Sequence, residues 1–290
     1  MFGECHMHMF MDGADYKKAV QLHKTQVQEA DIHKKLKKYR DMDITFLRDG
    51  GDIYGVSKRA AQLAPEYGIT YRTPVFAIHK NGHYGAIVGH GFDNWKEYHA
   101  LVQQVKAEDG DFIKIMISGI MDFAGDGGVS EAPLLKTEIR EMIHIAHEEG
   151  FAVMAHANGA RTIQAAAEAG VDSVEHGNFA DEECLQAMAE HHTIWVPTYV
   201  TITNPIGSGR FDDAVLKRLC SRQGEMIRRG FALGVQIALG SDAGAFGVLH
   251  GQGIYDEYKI LKELAAESVP ELDQRLQAAE AEIRRRFCRA

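Results

Sequence analysis

One lysine and a pair of histidines stand where a folded chain would not leave them idle. In Asp111-Phe112-Ile113-Lys114-Ile115-Met116-Ile117-Ser118-Gly119, a short apolar run rich in β-branched residues and closed by Ser-Gly predicts a β-strand. Side chains alternate across a strand, so Ile113, Ile115 and Ile117 share one face while Lys114, Met116 and Ser118 share the other. An ammonium buried without a partner is very costly. Lys114 therefore lies on an edge strand facing solvent, or is paired, or loses its charge chemically. The second signal is Glu4-Cys5-His6-Met7-His8-Met9. In a strand His6 and His8 project the same way, about 6.5–7 Å apart, and two imidazoles so placed converge on one ion. With 15 histidines in the chain, one His-x-His arises by chance and needs support from elsewhere.

The elements that must position these groups follow a regular plan. Residues 14–42 are helical in pattern, and 43–51 read as a strand stopped by a glycine pair. Helix 57–67 leads to strand 69–78. Residues 79–92 read as a loop carrying His79, His83 and His90, and helix 94–107 leads into the lysine strand. A Gly/Asp loop at 119–133 is long enough to cover a site. After helix 137–149, strands at 151–156, 171–176, 193–200 and 235–239 alternate with helices at 160–169, 181–191 and 212–233. Helices at 254–266 and 270–288 close the chain. With the first segment this makes eight strands alternating with helices, which predicts parallel βαβ units. At this length the expectation is an α/β fold of the (β/α)8 TIM barrel type. A doubly wound sheet is the alternative, but no Gly-x-Gly-x-x-Gly turn recommends it. Residues 1–266 read as the barrel and 267–290 as a C-terminal helical extension.

Functional groups of a barrel sit at the C-terminal ends of its strands. There the sequence puts His6 and His8 (strand one), Lys114 (four), His156 (five), His176 (six) and Asp242 (eight). Parity agrees: Ala238, Gly240 and Asp242 fall opposite Val235, Ile237 and Leu239, and Ala152, Met154 and His156 fall opposite Val153 and Ala155. Polar residues at equivalent positions of equivalent strands predict a metal site. Glu175 has the opposite parity to His176 and reads as structural. Asp49, His79, His83, His90, Tyr199 and His250 sit at or after strand ends, and substrate binding is expected of His79, His90, Tyr199 and His250.

Cys5-His6-Met7-His8, Ile113-Lys114-Ile115-Met116, Ala155-His156-Ala157, Val174-Glu175-His176-Gly177-Asn178 and Gly240-Ser241-Asp242-Ala243-Gly244 resemble the amidohydrolase superfamily of metal-dependent hydrolases. The nearest likeness is to its imidazolonepropionase-like and prolidase-like branch. The resemblance implies two divalent metal ions, one on His6, His8 and Asp242 and one on His156 and His176. Lys114 would carry a CO₂-derived carbamate bridging them, and zinc suits such ligands. Asp242 would be the catalytic residue, taking a proton from water and delivering it to the leaving amine. The implied reaction is hydrolysis of an amide C–N bond in a dipeptide, N-acyl amino acid or cyclic amide. A mononuclear deaminase of the same superfamily would need only His6, His8, His156 and Asp242, with His176 polarising the water. Against it, His156 is followed by Ala-Asn-Gly-Ala and no glutamate. The third reading is a non-catalytic barrel. Family members usually carry a small β-sandwich built from both chain ends; here the first strand begins almost at Met1 and residues 271–286 read as a charged helix, so none is expected.

Composition narrows the partners. With 290 residues, 45% hydrophobic and 25% charged, the chain has the make-up of a soluble globular protein with ample length for a core. A formal charge of −9 argues against a nucleic-acid surface, and the basic run at 33–40 reads as a solvated helix face. Cys5, Cys184, Cys220 and Cys288 lack CxxC spacing, which suggests reduced thiols and a cytoplasmic setting. No signal peptide or membrane-spanning run is evident. A small-molecule substrate is expected; a homo-oligomer is compatible with all of this.

Overall fold

Eight parallel strand positions succeed one another in the computed structural model, which describes residues 2–124, 128–265 and 269–288. They are β1 (Glu4–Met7), β2 (Phe46–Asp49), β3 (Thr70–Arg72 and, after a break, Ala77–Lys80), β4 (Ile113–Met116), β5 (Val153–Ala157), β6 (Ser173–His176), β7 (Ile194–Val196) and β8 (Gln236–Ile237). The first part of β3 pairs with β2 and β2 with β1. Its second part pairs with β4, and the ladder then runs in order through β5, β6, β7 and β8. Val75, at φ 66°, turns the chain between the two halves of β3. Backbone hydrogen bonds from Cys5 N to Leu239 O (3.0 Å), Asp242 N to His6 O (2.7 Å) and His8 N to Ala243 O (2.9 Å) join β1 to the segment after β8. The circuit is that of a (β/α)8 barrel.

Strands of such a barrel are covered on both faces, which is why they read as near-continuous apolar runs. Ile113, Ile115 and Ile117 are fully buried on the outer side against the helices. The helices present apolar stripes inward; Asp213–Leu233 buries Val215, Leu216, Leu219, Ile227 and Phe231. It begins at Asp212, whose side chain accepts from Ala214 N, and ends at Gly234 in the left-handed region.

A second apolar cluster fills the N-terminal end of the barrel. Cys5, Phe46, Phe112, Met154, Ile194 and Val196 meet Ala279, Ile283 and Phe287, contributed by helix Leu272–Arg286 and the residue after it. The C-terminal segment thus forms the barrel floor.

Three local expectations change. The helical stretch 14–42 divides into Tyr16–His23 and Glu29–Asp41. The presumed loop 79–92 contains the end of β3 and an extra strand, Gly89–Phe92, paired parallel to it. Within the basic run, Lys35 is buried: its Nζ donates to Met9 O (2.7 Å) and Met11 O (2.9 Å) and pairs with Asp31 (2.7 Å). That ammonium anchors the loop after β1, because three oxygens replace its water. Among the described residues, the strands outside the barrel are Gly89–Phe92 and the pair Met121–Asp122 and Gly128–Val129, and no helix is long and apolar enough to cross a membrane.

Candidate metal centre

Lys114 lies on an interior strand, paired through Ala77 of β3 on one side and Met154 of β5 on the other. The edge-strand alternative therefore fails. The side chain is 1% exposed and Nζ has no hydrogen-bond partner among the described residues. Burial, partly offset by Glu175, pulls its pKa down to about 8.

Around it the imidazoles form an arc. Ring centroids are 5.5 Å apart for His6 and His8, 5.0 Å for His6 and His176, and 4.7 Å for His176 and His156. Asp242 Oδ1 lies 3.6 Å from His6 Nε2 and 3.7 Å from His8 Nε2. One ligand atom from each of His6, His8 and Asp242 lies within 4.8 Å of the others. His156 uses Nε2 toward Gly119 O (3.0 Å), and His176 uses Nδ1 toward Thr198 Oγ1 (2.8 Å). Among the described residues each keeps its other ring nitrogen uncommitted, the arrangement expected of a metal ligand held from behind.

Backbone geometry aims the last two candidate ligands. His176 and Asp242 adopt φ of 65° and 59° at the ends of their strands. His and Asp tolerate the left-handed region better than most residues. The turn swings His176 inward immediately after Glu175, which also points in, so the parity argument that set Glu175 apart does not hold. Glu175 Oε2 lies 2.6 Å from His6 Nδ1. Gly50 makes room for His8: a Cβ there would fall 2.3 Å from His8 Cε1. Gly50→Ala is therefore expected to displace the ring and lower turnover by about 10²-fold with little change in melting temperature. A folded variant with wild-type rate would contradict this placement.

The donor set fits divalent cations. His6 Nε2, Lys114 Nζ and Asp242 Oδ1 are all buried and unpartnered among the described residues, a cost that a bound cation relieves. Burial first, then Lys114, pushes His8 and His156 down to about 3, so these rings are neutral and ready to ligate near pH 7. Burial likewise pushes His6 and His176 far down. Asp242 is pushed up to about 7.

These side chains line a cavity of about 1280 Å³. His83 reaches it, beside Glu131 (3.6 Å). Four substrate candidates are placed elsewhere: His79, His90, Tyr199 and His250 do not line it. His79 Nδ1 bonds to Lys80 O (3.0 Å), and exposed His90 packs edge-on to Phe76 (4.6 Å). Tyr199 donates its hydroxyl to Cys220 O (2.8 Å), while His250 links Tyr39 (3.0 Å) to Met11 O (2.8 Å). Asp49 accepts from Met9 N and Gly51 N and holds the β1 and β2 loops together. The walls come instead from residues not singled out from the sequence: Tyr84, 5.2 Å from His156, and Phe123, Arg210, Phe211 and Phe246. The Arg210 guanidinium stacks on Phe246 (4.1 Å) and Phe211 on Phe123 (4.7 Å). An Arg-Phe pair directly after Gly207-Ser208-Gly209 was the available signal.

Comparison with known proteins gives the family and the fold. The family model of the Amidohydrolase family matches residues 15–274. An uncharacterized protein of Mycobacterium tuberculosis (strain H37Rv) is 29% identical over 172 residues, covering 57% of this chain and 45% of that protein. Ochratoxinase of Aspergillus niger is 28% identical over 197 residues, covering 66% of this chain and 39% of that enzyme. The chain thus spans less than half the length of these curated relatives. The crystal structure of a Xaa-Pro dipeptidase with bound methionine in the active site has the same fold, with a TM-score of 0.74 at 22% identity over 98% of this chain and 75% of that one. The chain belongs to the amidohydrolase family.

Proposed function

We propose that the protein hydrolyses an amide C–N bond of a small molecule with the help of two divalent metal ions, most suitably zinc. His6, His8 and Asp242 would hold one ion, and His156 and His176 would contribute to the second. Addition of Lys114 Nζ to CO₂ with loss of a proton would give an anionic carbamate, a further oxygen ligand for this centre. The observation that carries this reading is Lys114 itself, a buried ammonium among four imidazoles and without a hydrogen-bond partner among the described residues. Among the described residues His156 and His176 lack a third His, Cys, Asp or Glu ligand, and a carbamate on Lys114 would supply one.

When bound, such ions lower the pKa of water toward neutrality and polarise the scissile carbonyl. The rest of the reaction belongs to the chain. The Asp242 carboxylate takes the proton from the attacking water and passes it to the leaving nitrogen, a transfer suited to a carboxylate that lines the cavity. Tyr84, Phe123 and Phe246 wall the cavity in which this exchange takes place. The Xaa-Pro dipeptidase among the structural neighbours supports a substrate of dipeptide type.

Chelator-stripped protein is expected to be inactive, and restoration by zinc to reach full rate at two ions per chain. The substrate panel is Xaa-Pro dipeptides, N-acyl amino acids and hydantoin-like rings. Ammonia release from aminopurines without amide hydrolysis, or full activity with one ion or none, would overturn the proposal.

A further inference from the structure

Beneath His6 the barrel interior holds an ion pair with no access to solvent. Arg48, from β2, donates through Nη2 to Glu175 Oε1 (2.9 Å) and Oε2 (3.1 Å), through Nη1 to Ser173 Oγ (2.9 Å) and through Nε to Cys5 O (2.6 Å). One guanidinium thereby ties β2 to β1 and β6. Glu175 then reaches His6 Nδ1 at 2.6 Å. On the opposite side the ring of Phe287 stacks on the guanidinium at 4.3 Å, with Phe112 edge-on to Phe287. Arg48, Glu175, His6, Phe112 and Phe287 are each 0% exposed. A continuous column of contacts therefore runs from the C-terminal helix at the floor to the first metal ligand.

Stability alone does not account for this column. A buried ion pair costs much of what it gains, and apolar residues of similar volume often replace one without loss. Its chemistry is directional, however. A carboxylate held by a guanidinium has only acceptors to offer, so His6 Nδ1 must be the donor. That fixes the tautomer and leaves the Nε2 lone pair facing the cavity, where it has no protein partner among the described residues. His156 and His176 are held from behind by a backbone carbonyl and a hydroxyl; His6 is held by an ionic group, which gives the shorter and stronger hydrogen bond.

We propose that Arg48 and Glu175 are positioning residues for His6, and that Phe287 holds the pair in place, so that this column of contacts, and not the floor cluster as a whole, sets the affinity of the His6–His8–Asp242 centre for a divalent cation. This rests on the metal-hydrolase reading. The two are separable because the experiment measures zinc binding without substrate: absence of zinc binding by the wild-type chain defeats that reading, whereas unaltered binding by the variants defeats only the inference.

Zinc affinity of the stripped full-length chain is measured by competition with a chromophoric chelator, alongside its melting temperature and the visible spectrum of the cobalt-loaded form. Glu175→Gln is expected to weaken the tighter site by about 10–100-fold and to shift the cobalt bands. The double variant Arg48→Met with Glu175→Gln leaves no unpaired charge and is expected to fold and show the same loss. Phe287→Ala should weaken binding by a smaller factor, and Phe46→Leu, in the same floor cluster, should lower the melting temperature without altering affinity. Wild-type affinity and cobalt spectrum in folded Glu175→Gln or in the double variant would overturn the proposal. Should neither fold, unchanged affinity in Phe287→Ala would do so.

Discussion

Replacing Lys114 by methionine is expected to abolish amide hydrolysis and at the same time to raise the melting temperature of the metal-free protein. The two effects share one cause. Lys114 Nζ is buried without a hydrogen-bond partner among the described residues, and an unsatisfied buried polar group costs about 1–3 kcal/mol, more when charged. Methionine has a similar length, no charge and enough flexibility to fill the same space. Its introduction should therefore stabilise the empty fold by roughly that amount. It also removes the one amine able to become a bridging carbamate. Zinc content should drop from two ions per chain to one or fewer, and kcat/KM by at least about 10³-fold, roughly 4 kcal/mol of transition-state stabilisation. The measurements are metal analysis, calorimetry of the stripped protein and turnover of the best amide substrate. Two ions and full turnover in Lys114→Met would remove the carbamate from the mechanism. Opposite movement of activity and stability is what a functional residue placed against folding preference produces.

Asp242→Asn is expected to preserve the fold while costing about 10²–10⁴ in rate. Asparagine matches the shape of aspartate and tolerates the left-handed φ of 59°, but its amide cannot take up the proton. The pH dependence gives a second reading. Burial, opposed by Lys114 and reinforced by Glu175, pushes Asp242 up to about 7 in the metal-free protein. The imidazoles are pushed the other way and are already neutral. Below pH 7 the proton on Asp242 therefore competes with the cation, weakening zinc binding by about tenfold per pH unit. In Asp242→Asn that share of the slope should vanish. The sign for stability is opposite: a carboxyl raised on folding stabilises the metal-free fold at low pH, and its contribution is lost as pH rises from about 4 through about 7. Zinc titrations and denaturant unfolding at pH 5, 6 and 7 test both. An unchanged zinc-binding slope in the variant would place the competing proton elsewhere.

Local signals account for what could be read along the chain. Alternation of apolar strands with amphipathic helices is a short-range pattern, and it suffices for a (β/α)8 barrel because right-handed βαβ units admit few other closures. The polar side chains at the ends of β1, β4, β5, β6 and β8 were legible for the same reason: residue type and distance from a strand end are local quantities. Loop residues were not legible. His250 faces Tyr39, 211 positions away, and Tyr199 turns to Cys220; nothing within a few residues of either specifies that direction.

By itself, then, the sequence determined which side chains stand at the mouth of the barrel. Only the tertiary structure decided how they are held. Period-two parity applies to extended backbone, and it fails where His176 and Asp242 leave it at positive φ, which is why Glu175 and His176 both turn inward. Arg48 and Glu175 are 127 residues apart and meet only because β2 and β6 face one another across the barrel. Lys114 shows the division most clearly. Its identity and parity are in the sequence, but whether it met solvent or four imidazoles depended on pairing with β3 and β5, a long-range choice made by the hydrogen bonds of the closed sheet.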